Sequence, residues 1–468
     1  MPQPSADTPL TDAYLDPVAY LRKENLHRTL TFRPSPSPLT SFRASTNGGA
    51  TSSDGTYPPA PPQELTVSYA VVGAFPSPTS SSSSSSPSSA SSSSPPNPSA
   101  SSSPPTLVWL NGMGHHRCAS CLLDGLFASS GVRLITVDRP GAGRSTMVPL
   151  RDRSRVSFEA LLAVLKKEGV TELSLLSHSN GLIYALYFLL HLPPHLTVKT
   201  WTLSSPYVPP WLSSHIPLTL ARWVPPALTA NLGPIAITAH KVIDPFVKSA
   251  SWSAGVSGVL VELSGAWGVA IVSPGSHPAG GAEAGAGGEE DAPPPSEAEA
   301  RAQRARFRDL NSRRPPHKQL FGGEFYGPTL FAKGMKIAFG EGKEGMGQEA
   351  QVCLRQGEAG LRGAWVGKEV EKEGVREGEI LEKAFEALKE RWEKEGEAVR
   401  MRVAYGKDDG LVYAKGRAYL RALLVDKLKL VETEKWQEIE DTGHDDPLGL
   451  VCIIEPMLED LLAAHEAK

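Results

Sequence analysis

Alternating blocks of apolar and polar residues along the chain predict a regular series of strands and helices. Short apolar runs rich in β-branched and aromatic residues predict strands at residues 28–33, 65–72, 106–111, 132–137, 172–176, 197–203, 399–405 and 435–440. Apolar positions at helical spacing predict helices at residues 16–26, 158–167, 182–192, 380–392 and 413–425, and Pro447 opens a last one. This alternation predicts an α/β fold, a mostly parallel central sheet with helices on both faces.

A low-complexity stretch separates two of the early strands. Residues 76–105, between the strands at 65–72 and 106–111, are almost wholly Ser and Pro. Such a composition buries too little apolar surface to offset the entropy of ordering, which predicts a disordered insert. The cost of closing a loop grows only with the logarithm of its length. We therefore expect the two strands to form a hairpin whose connection the insert has lengthened.

Regular alternation stops after the strand at 197–203. Residues 207–378 contain helical pieces interrupted by Pro, and they predict a helical cap inserted after that strand. Within the cap, residues 275–300 are rich in Gly, Ala, Glu and Pro and predict a second disordered insert. The remaining predicted parts are a partly disordered N-terminal segment at residues 1–63 and the two halves of the core, at residues 64–206 and 379–468.

Charge and cysteine content exclude several classes of protein. The formal net charge is −4, and no basic stripe is present, which argues against a nucleic-acid partner. Four scattered cysteines and a first segment without a secretory signal favour a cytoplasmic protein. No uninterrupted apolar run reaches 18 residues, so we expect no transmembrane segment. Peripheral contact through the cap is then the remaining way to meet a membrane.

The segment Ser-His-Ser-Asn-Gly, which ends at Gly181, joins a predicted buried strand to an apolar helix. A sharp strand-to-helix turn that exposes a nucleophile needs small residues two positions before and after it. Ser177 and Gly181 meet this need, although Gly is the usual residue at the first position. The N–H groups at the start of the helix also point toward the place where negative charge develops. Ser179 is therefore the candidate nucleophile, and the Asn180 N–H is a candidate oxyanion donor.

A Gly-rich turn, Asn-Gly-Met-Gly at 111–114, follows the strand at 106–111. Glycine allows a backbone N–H to approach a reacting group without a side chain in between. We expect Gly112 to serve this structural purpose and the Met113 N–H to be the second oxyanion donor.

The turn Asp-Arg-Pro-Gly-Ala-Gly-Arg-Ser at 138–145 follows the next predicted strand. Together with the two preceding turns, it makes the sequence resemble the α/β-hydrolase superfamily over residues 65–206 and 399–468. In that family this turn is structural and shapes the floor of the site, so the resemblance implies no catalytic role for it.

The resemblance also implies the remaining site residues, because the chain order in this family is nucleophile, acid, base. The pattern Gly-x-x-Asp-x-x-Val at 406–412 selects Asp409 as the acid, and the neighbouring Asp408 is the alternative. His444, in a loop after the last strand, is the implied base. In such a triad the histidine takes the serine proton, and the aspartate fixes the imidazole tautomer.

The implied activity is that of a carboxylesterase- or lipase-like serine hydrolase, which works through an acyl-enzyme and without a cofactor. The apolar cap, with Trp211, Trp223, Trp252 and Trp267, favours a hydrophobic carboxylic ester or lipid as the small-molecule substrate. A peptidase or thioesterase on the same triad is an alternative. A non-catalytic ligand-binding relative is another.

Two further sets of residues invite a different interpretation. His115 and His116 precede Cys118 and Cys121, which suggests zinc. A structural zinc site needs four ligands, however, and no second pair stands at a suitable spacing, so we expect no metal there. His178, next to the candidate nucleophile, is expected to pack rather than to react.

Overall fold

The structure is a computed structural model of the 468-residue chain. It describes residues 12–35, 64–75, 103–231, 295–321, 344–396 and 399–466, with scattered positions from 330 to 342.

An eight-stranded sheet lies at the centre of this described part. Its strands are β1 (Arg28–Phe32), β2 (Leu65–Gly73), β3 (Thr106–Leu110), β4 (Arg133–Val137), β5 (Glu172–His178), β6 (Thr197–Ser204), β7 (Arg400–Gly406) and β8 (Trp436–Ile439). Their order in space is β1-β2-β4-β3-β5-β6-β7-β8. Strand β2 runs antiparallel to β1 and β4, and the other neighbouring strands are parallel. The predicted mostly parallel sheet is confirmed.

Helices cover both faces of the sheet, as the sequence predicted. They are α1 (Asp12–Leu15), α2 (Pro17–Leu21), α3 (Cys121–Ser129), α4 (Arg153–Lys167), α5 (Gly181–Leu190), α6 (Pro210–Ser213), α7 (Ile216–Ala221), α8 (Pro226–Ala230), α9 (Glu297–Ser312), α10 (Glu344–Leu354), α11 (Ile380–Glu395), α12 (Ala414–Arg421) and α13 (Val451–Glu466).

The side chains of β2 show how the two faces are filled. Val67, Tyr69 and Val71 belong to the core that includes α4, α5 and α11. Ala70 and Val72 point the other way and pack with α3 and α13. Since successive side chains of a strand alternate between faces, a strand that is buried on both faces is apolar along most of its length.

The predicted hairpin between the strands at 65–72 and 106–111 is wrong. Strand β4 lies between β2 and β3 and pairs with both, antiparallel to β2 and parallel to β3. The chain leaves β3, passes through α3 and returns as β4 in the same direction, which is the crossover that parallel neighbours require. The position beside β3 that a hairpin would give to β2 is thereby occupied by β4.

The predicted disordered insert at 275–300 extends too far, because α9 begins at Glu297. The Ser296 side chain accepts the Glu299 N–H, and the Glu299 carboxylate accepts the Ser296 N–H in return. This reciprocal capping starts a helix, and its Ser-x-x-Glu pattern is visible in the sequence. Residues 275–294, like residues 76–102 of the first insert, lie outside the described residues.

Residues 205–399 separate β6 from β7, and their described part is mainly helical, in the place predicted for a cap. Trp223 is 84 % exposed there, whereas Trp211 is half-buried with the Arg222 guanidinium 4.3 Å from its ring. Trp252 and Trp267 lie outside the described residues. In the described chain, no helix combines the length and the apolar character needed to cross a membrane.

Candidate active site

Ser179 occupies the sharp turn between β5 and α5. Its φ angle is +52°, in the left-handed region that a residue with a side chain rarely adopts. The Ser179 N–H donates to the Ser204 carbonyl at 3.0 Å, and the Ser179 carbonyl accepts the Tyr207 N–H at 3.0 Å. These bonds offset the cost of the conformation, which holds Ser179 at the carboxyl end of the parallel strands.

The small residues on either side of Ser179 are needed for different reasons. A Cβ atom on Gly181 would lie 2.2 Å from the Leu110 carbonyl oxygen, so only glycine fits there. Ser177 is fully buried, and its Oγ accepts a hydrogen bond from Trp201 Nε1 at 2.9 Å. This contact accounts for a serine at the position where the family usually has glycine.

The turn at Ser179 meets two loops from the far end of the chain. His444, in the loop after β8, has its Nε2 atom 2.8 Å from Ser179 Oγ. Its Nδ1 atom lies 2.8 Å from Asp409 Oδ2, in the loop after β7. Both His444 and Asp409 are buried. The structure therefore brings the three predicted side chains together in one chain of hydrogen bonds.

Asp409 is held in place by the backbone of its own loop. Its Oδ1 atom accepts the N–H groups of Leu411 and Val412, each at 2.8 Å. Burial on its own raises the pKa of Asp409, but the His444 imidazole and the two N–H groups have the larger, opposite effect. The pKa of Asp409 is therefore below its usual value. Asp408 is exposed. Of the two candidate acids, Asp409 is the one that contacts His444.

The Gly-rich turn after β3 lies against Ser179. A Cβ atom on Gly112 would lie 2.8 Å from His178 Cδ2 and 3.3 Å from Ser179 Cβ, so glycine permits this approach. Met113 follows in the same turn. Asn180 is the residue directly before α5, and it is 1 % exposed. The two predicted oxyanion donors thus belong to the turn after β3 and to the turn that carries Ser179 itself.

Arg139, to which the sequence assigned no role, contacts the predicted oxyanion turn. Its guanidinium donates to the Gly112 carbonyl at 2.7 Å and to the Asn111 carbonyl. The Gly112 carbonyl and the Met113 N–H belong to one planar trans peptide and point in opposite directions. Arg139 therefore fixes the direction of the Met113 N–H.

Glu349, on α10, is a second residue that sequence reasoning missed. Its carboxylate is 3 % exposed and accepts hydrogen bonds from Arg139 Nε at 3.0 Å and Arg153 Nε at 2.8 Å. It also accepts from Tyr184 at 2.9 Å and from the Asn180 side-chain amide at 2.6 Å. Burial alone raises the pKa of Glu349, but the two arginines lower it below the usual value, so the group is charged.

Glu349 is thereby connected to both predicted oxyanion segments. It accepts a hydrogen bond from the Asn180 side chain, and it binds Arg139, which in turn binds the turn that contains Met113. No local motif marks it, since 169 positions separate it from Asn180. For Arg139 the recognisable turn at 138–145 was the available signal.

The cysteines that suggested zinc take no part in this site. Cys118 and Cys121 are buried and free. Burial raises the pKa of Cys118 to about 12 and that of Cys121 well above its usual value, so both are neutral thiols. A thiol binds zinc as the thiolate, which this environment disfavours.

Three observations together decide the fold. A strand-to-helix turn with a positive φ carries a serine above a mostly parallel sheet, and the chain supplies Ser179, Asp409 and His444 in that order. The chain has the α/β-hydrolase fold. The resemblance implied by the sequence is thus a resemblance in architecture as well.

Comparison of this sequence with protein-family models and with curated proteins finds no match. Solved structures similar to it include a carboxylesterase of Nitrososphaera gargenis, with 10 % identity, a TM-score of 0.42, and coverage of 88 % of this chain and 98 % of that one. Epoxide hydrolase VrEH1 from Vigna radiata has 14 % identity, a TM-score of 0.41, and coverage of 86 % and 95 %.

An esterase from Exiguobacterium antarcticum has 12 % identity and a TM-score of 0.39, with coverage of 86 % of this chain and 96 % of that one. Because all three TM-scores lie below 0.5, the fold is assigned from the strand order and the turn at Ser179. Neither activity nor substrate follows from these neighbours.

Proposed function

We propose that this α/β-hydrolase is a serine hydrolase that cleaves a hydrophobic carboxylic ester or lipid through an acyl-enzyme. The single observation that carries the proposal is the unbroken chain of hydrogen bonds from Ser179 Oγ through His444 to Asp409, each 2.8 Å long. Both the order of the groups and the distances fit nucleophilic catalysis by an activated serine.

In this mechanism His444 Nε2 takes the proton of Ser179 as the serine attacks the substrate carbonyl. Asp409 accepts the Nδ1 proton of His444, fixes the tautomer and stabilises the imidazolium that forms. The imidazolium then gives its proton to the leaving alcohol. Water, activated by the same histidine, attacks the acyl-enzyme and releases the acid.

The oxyanion that forms during both attacks needs donors that are already in place. We assign the backbone N–H groups of Met113 and Asn180 to this task. Arg139 and Glu349 act as positioning residues, because they hold the Gly112–Met113 peptide and the Asn180 side chain. Their buried charges keep the turn in one orientation without contacting the substrate.

The preference for a hydrophobic substrate rests on the region between β6 and β7, where we place a cap at residues 207–378. Apolar side chains of α7 and α8 and of the short connection between them face solvent. Exposed fractions of 69 %, 61 %, 84 % and 55 % belong to Ile216, Leu220, Trp223 and Leu228. Exposed apolar side chains that lie close together are typical of surfaces that meet lipid or other apolar partners.

Labelling with a fluorophosphonate, which reacts with activated serines, tests the proposal. We expect one modified peptide that contains Ser179, no labelling of Ser179→Ala, and slow labelling of His444→Ala. The matched control is Ser213→Ala, which removes another buried serine hydroxyl, at the end of α6. This control should label like the wild type.

A panel of chromogenic esters, thioesters and peptides then sets the class of substrate. The proposal requires long-chain esters to be the best of these substrates. An absence of labelling in folded protein would contradict a live nucleophile, and faster cleavage of peptides or thioesters would contradict the ester preference.

A further inference from the structure

A second group of ionisable side chains lies beside the triad and has no part in the mechanism above. His178 directly precedes Ser179, and Asp445 directly follows His444. His178 Nε2 lies 2.8 Å from Asp445 Oδ1. His115, from the turn after β3, completes the group, and one ligand atom from each of the three residues lies within 4.8 Å of the others.

The hydrogen-bond partners of His178 make this group unusual. Its Nδ1 atom lies 3.1 Å from the Ser204 carbonyl oxygen, which can only accept a hydrogen bond, so Nδ1 carries a proton. Its Nε2 atom lies against the Asp445 carboxylate, which also only accepts hydrogen bonds. Two acceptors in contact need a positive charge between them, which a proton or a metal ion can supply.

His115 brings a third potential ligand atom to the same place. Its Nδ1 atom is buried and has no hydrogen-bond partner. The His115 and His178 rings meet edge to face, with 5.4 Å between their centroids. His115 also lines a small cavity with Gly114 and Met346.

We propose that His115, His178 and Asp445 form a zinc site next to the catalytic triad, and that zinc bound there inhibits hydrolysis. Two imidazoles and one carboxylate are ligands that suit Zn²⁺, and a water molecule would complete a four-coordinate site. Zinc–ligand distances of about 2.1 Å place tetrahedral ligand atoms about 3.4 Å apart, so the three ligand atoms would draw together from their present separations of up to 4.8 Å. The bond from His178 Nδ1 to a backbone carbonyl is the outer contact that orients most metal-bound histidines.

Inhibition follows from the short distance to the catalytic base, and this half of the proposal rests on the proposed function. The centroids of the His178 and His444 rings are 5.2 Å apart. A dication bound to His178, the ring beside His444, opposes the positive charge that His444 acquires when it takes the serine proton. Zinc bound there is therefore expected to lower kcat.

Metal binding can be measured without any substrate. Full-length protein treated with a chelator is titrated with Zn²⁺ against a chromogenic indicator, and with Co²⁺, whose visible absorption reports nitrogen and oxygen ligands. We expect one tight equivalent per chain. His115→Ala and Asp445→Asn should each weaken binding at least about tenfold. The exposed His195 provides the matched control, and His195→Ala should bind like the wild type.

A further variant separates the proposed site from the triad itself. His444→Ala should keep the zinc affinity, because His444 is not one of the ligands. If His444→Ala loses zinc while His115→Ala retains it, the metal sits on the triad and the proposal is overturned. Absence of any tight equivalent in the wild type overturns it too, and the His178–Asp445 pair then holds only a proton. A thermal unfolding scan of each variant, with His115→Gln beside His115→Ala, shows that a loss of binding is not a loss of the fold.

Turnover of a chromogenic ester tests the inhibitory half. Zinc should slow the wild type and His195→Ala, and His115→Ala should need at least about tenfold more zinc for the same inhibition. Equal inhibition of all three proteins would contradict inhibition through this site. If no ester is turned over at all, the proposed function fails, whereas the titrations still decide whether zinc binds.

Discussion

Two histidine–aspartate pairs lie side by side in this molecule and differ in their hydrogen-bond partners. In the pair His444–Asp409, Nδ1 faces a carboxylate and Nε2 faces the Ser179 hydroxyl. One neutral tautomer satisfies both contacts, because the hydroxyl can donate. In the pair His178–Asp445, both ring nitrogens face atoms that only accept.

The difference shows why neighbouring residues with the same chemistry can do different work. A histidine between an acceptor and a donor can pass a proton from one to the other. A histidine between two acceptors needs an additional positive charge, which a proton or a metal ion can supply. The identity of the side chains does not distinguish the pairs, but the partners of their second nitrogens do.

The largest difference in activity is expected between substitutions of the aspartates of the two pairs. Asp409→Asn should lower kcat for a chromogenic ester by about 10⁴-fold, because an amide at Nδ1 stabilises the wrong tautomer of His444. Asp445→Asn, assayed in the presence of a chelator, should lose less than about tenfold. Asp408→Asn alters an exposed side chain and should match the wild type. A loss in Asp408→Asn as deep as that in Asp409→Asn would erase the distinction between the two acids.

Glu349 extends the comparison to a buried carboxylate that contacts cations instead of a histidine. Glu349→Gln leaves Arg139 and Arg153 buried without their counter-charge, and we expect it to lower the free energy of unfolding by about 3 kcal/mol. Urea denaturation measures this loss. The control Glu393→Gln changes a side chain that is 65 % exposed and should stay within about 0.5 kcal/mol of the wild type.

The pH dependence of this loss has a definite sign. Because the pKa of Glu349 is lowered in the folded state, its charge stabilises the protein above the ordinary glutamate pKa of about 4.3. The contribution disappears as the pH falls through the lowered value. The gap between wild type and Glu349→Gln should therefore shrink in acid, and a gap that widens would contradict a charged Glu349.

A smaller effect is expected at Ser177, whose hydroxyl has one clear partner. Ser177→Ala leaves Trp201 Nε1 buried without an acceptor, which should lower the free energy of unfolding by about 1–2 kcal/mol. Ser177→Gly restores the residue usual in the family but loses the same bond, so it should not be more stable than the wild type. Labelling of Ser179 should persist in both variants, which would confine the effect to stability.

The smallest effect separates substrate access from the chemistry of the two pairs. Trp223→Ser removes an exposed apolar side chain and should lower activity on an emulsified long-chain ester a few-fold, with no change on a soluble short ester. Leu310→Ser, which removes an exposed apolar residue on α9, is the matched control. Equal losses of activity on both esters would mean that Trp223 contributes to the folding of the cap and not to substrate access.

Local patterns were enough to locate the strands, because a buried strand is apolar wherever its neighbours lie. They could not give the order of the strands, and the hairpin predicted for β2 and β3 failed for that reason. The turns at Ser179 and His444 were recognisable from small residues and from chain order. Glu349 was not, since its partners lie far away in the sequence and a single glutamate on a helix carries no pattern.

The same reasoning explains what was missed around His178. It was expected to pack, and it is fully buried. Which atoms meet its two nitrogens, however, depends on the register of β5 against β6 and on the path of the loop after β8. Neither can be read from the residues beside it.

The position of Glu349 also limits how the protein can be rearranged in evolution or in the laboratory. A chimaera in which residues 207–378 were exchanged for the corresponding region of another hydrolase would keep Arg139 and Arg153 but lose Glu349. Such an exchange is expected to succeed only when the donor supplies a carboxylate at the same place, or when Arg139 and Arg153 are neutralised together. The region between β6 and β7 is thus not an interchangeable module, because one of its side chains binds Asn180, the residue that follows the candidate nucleophile.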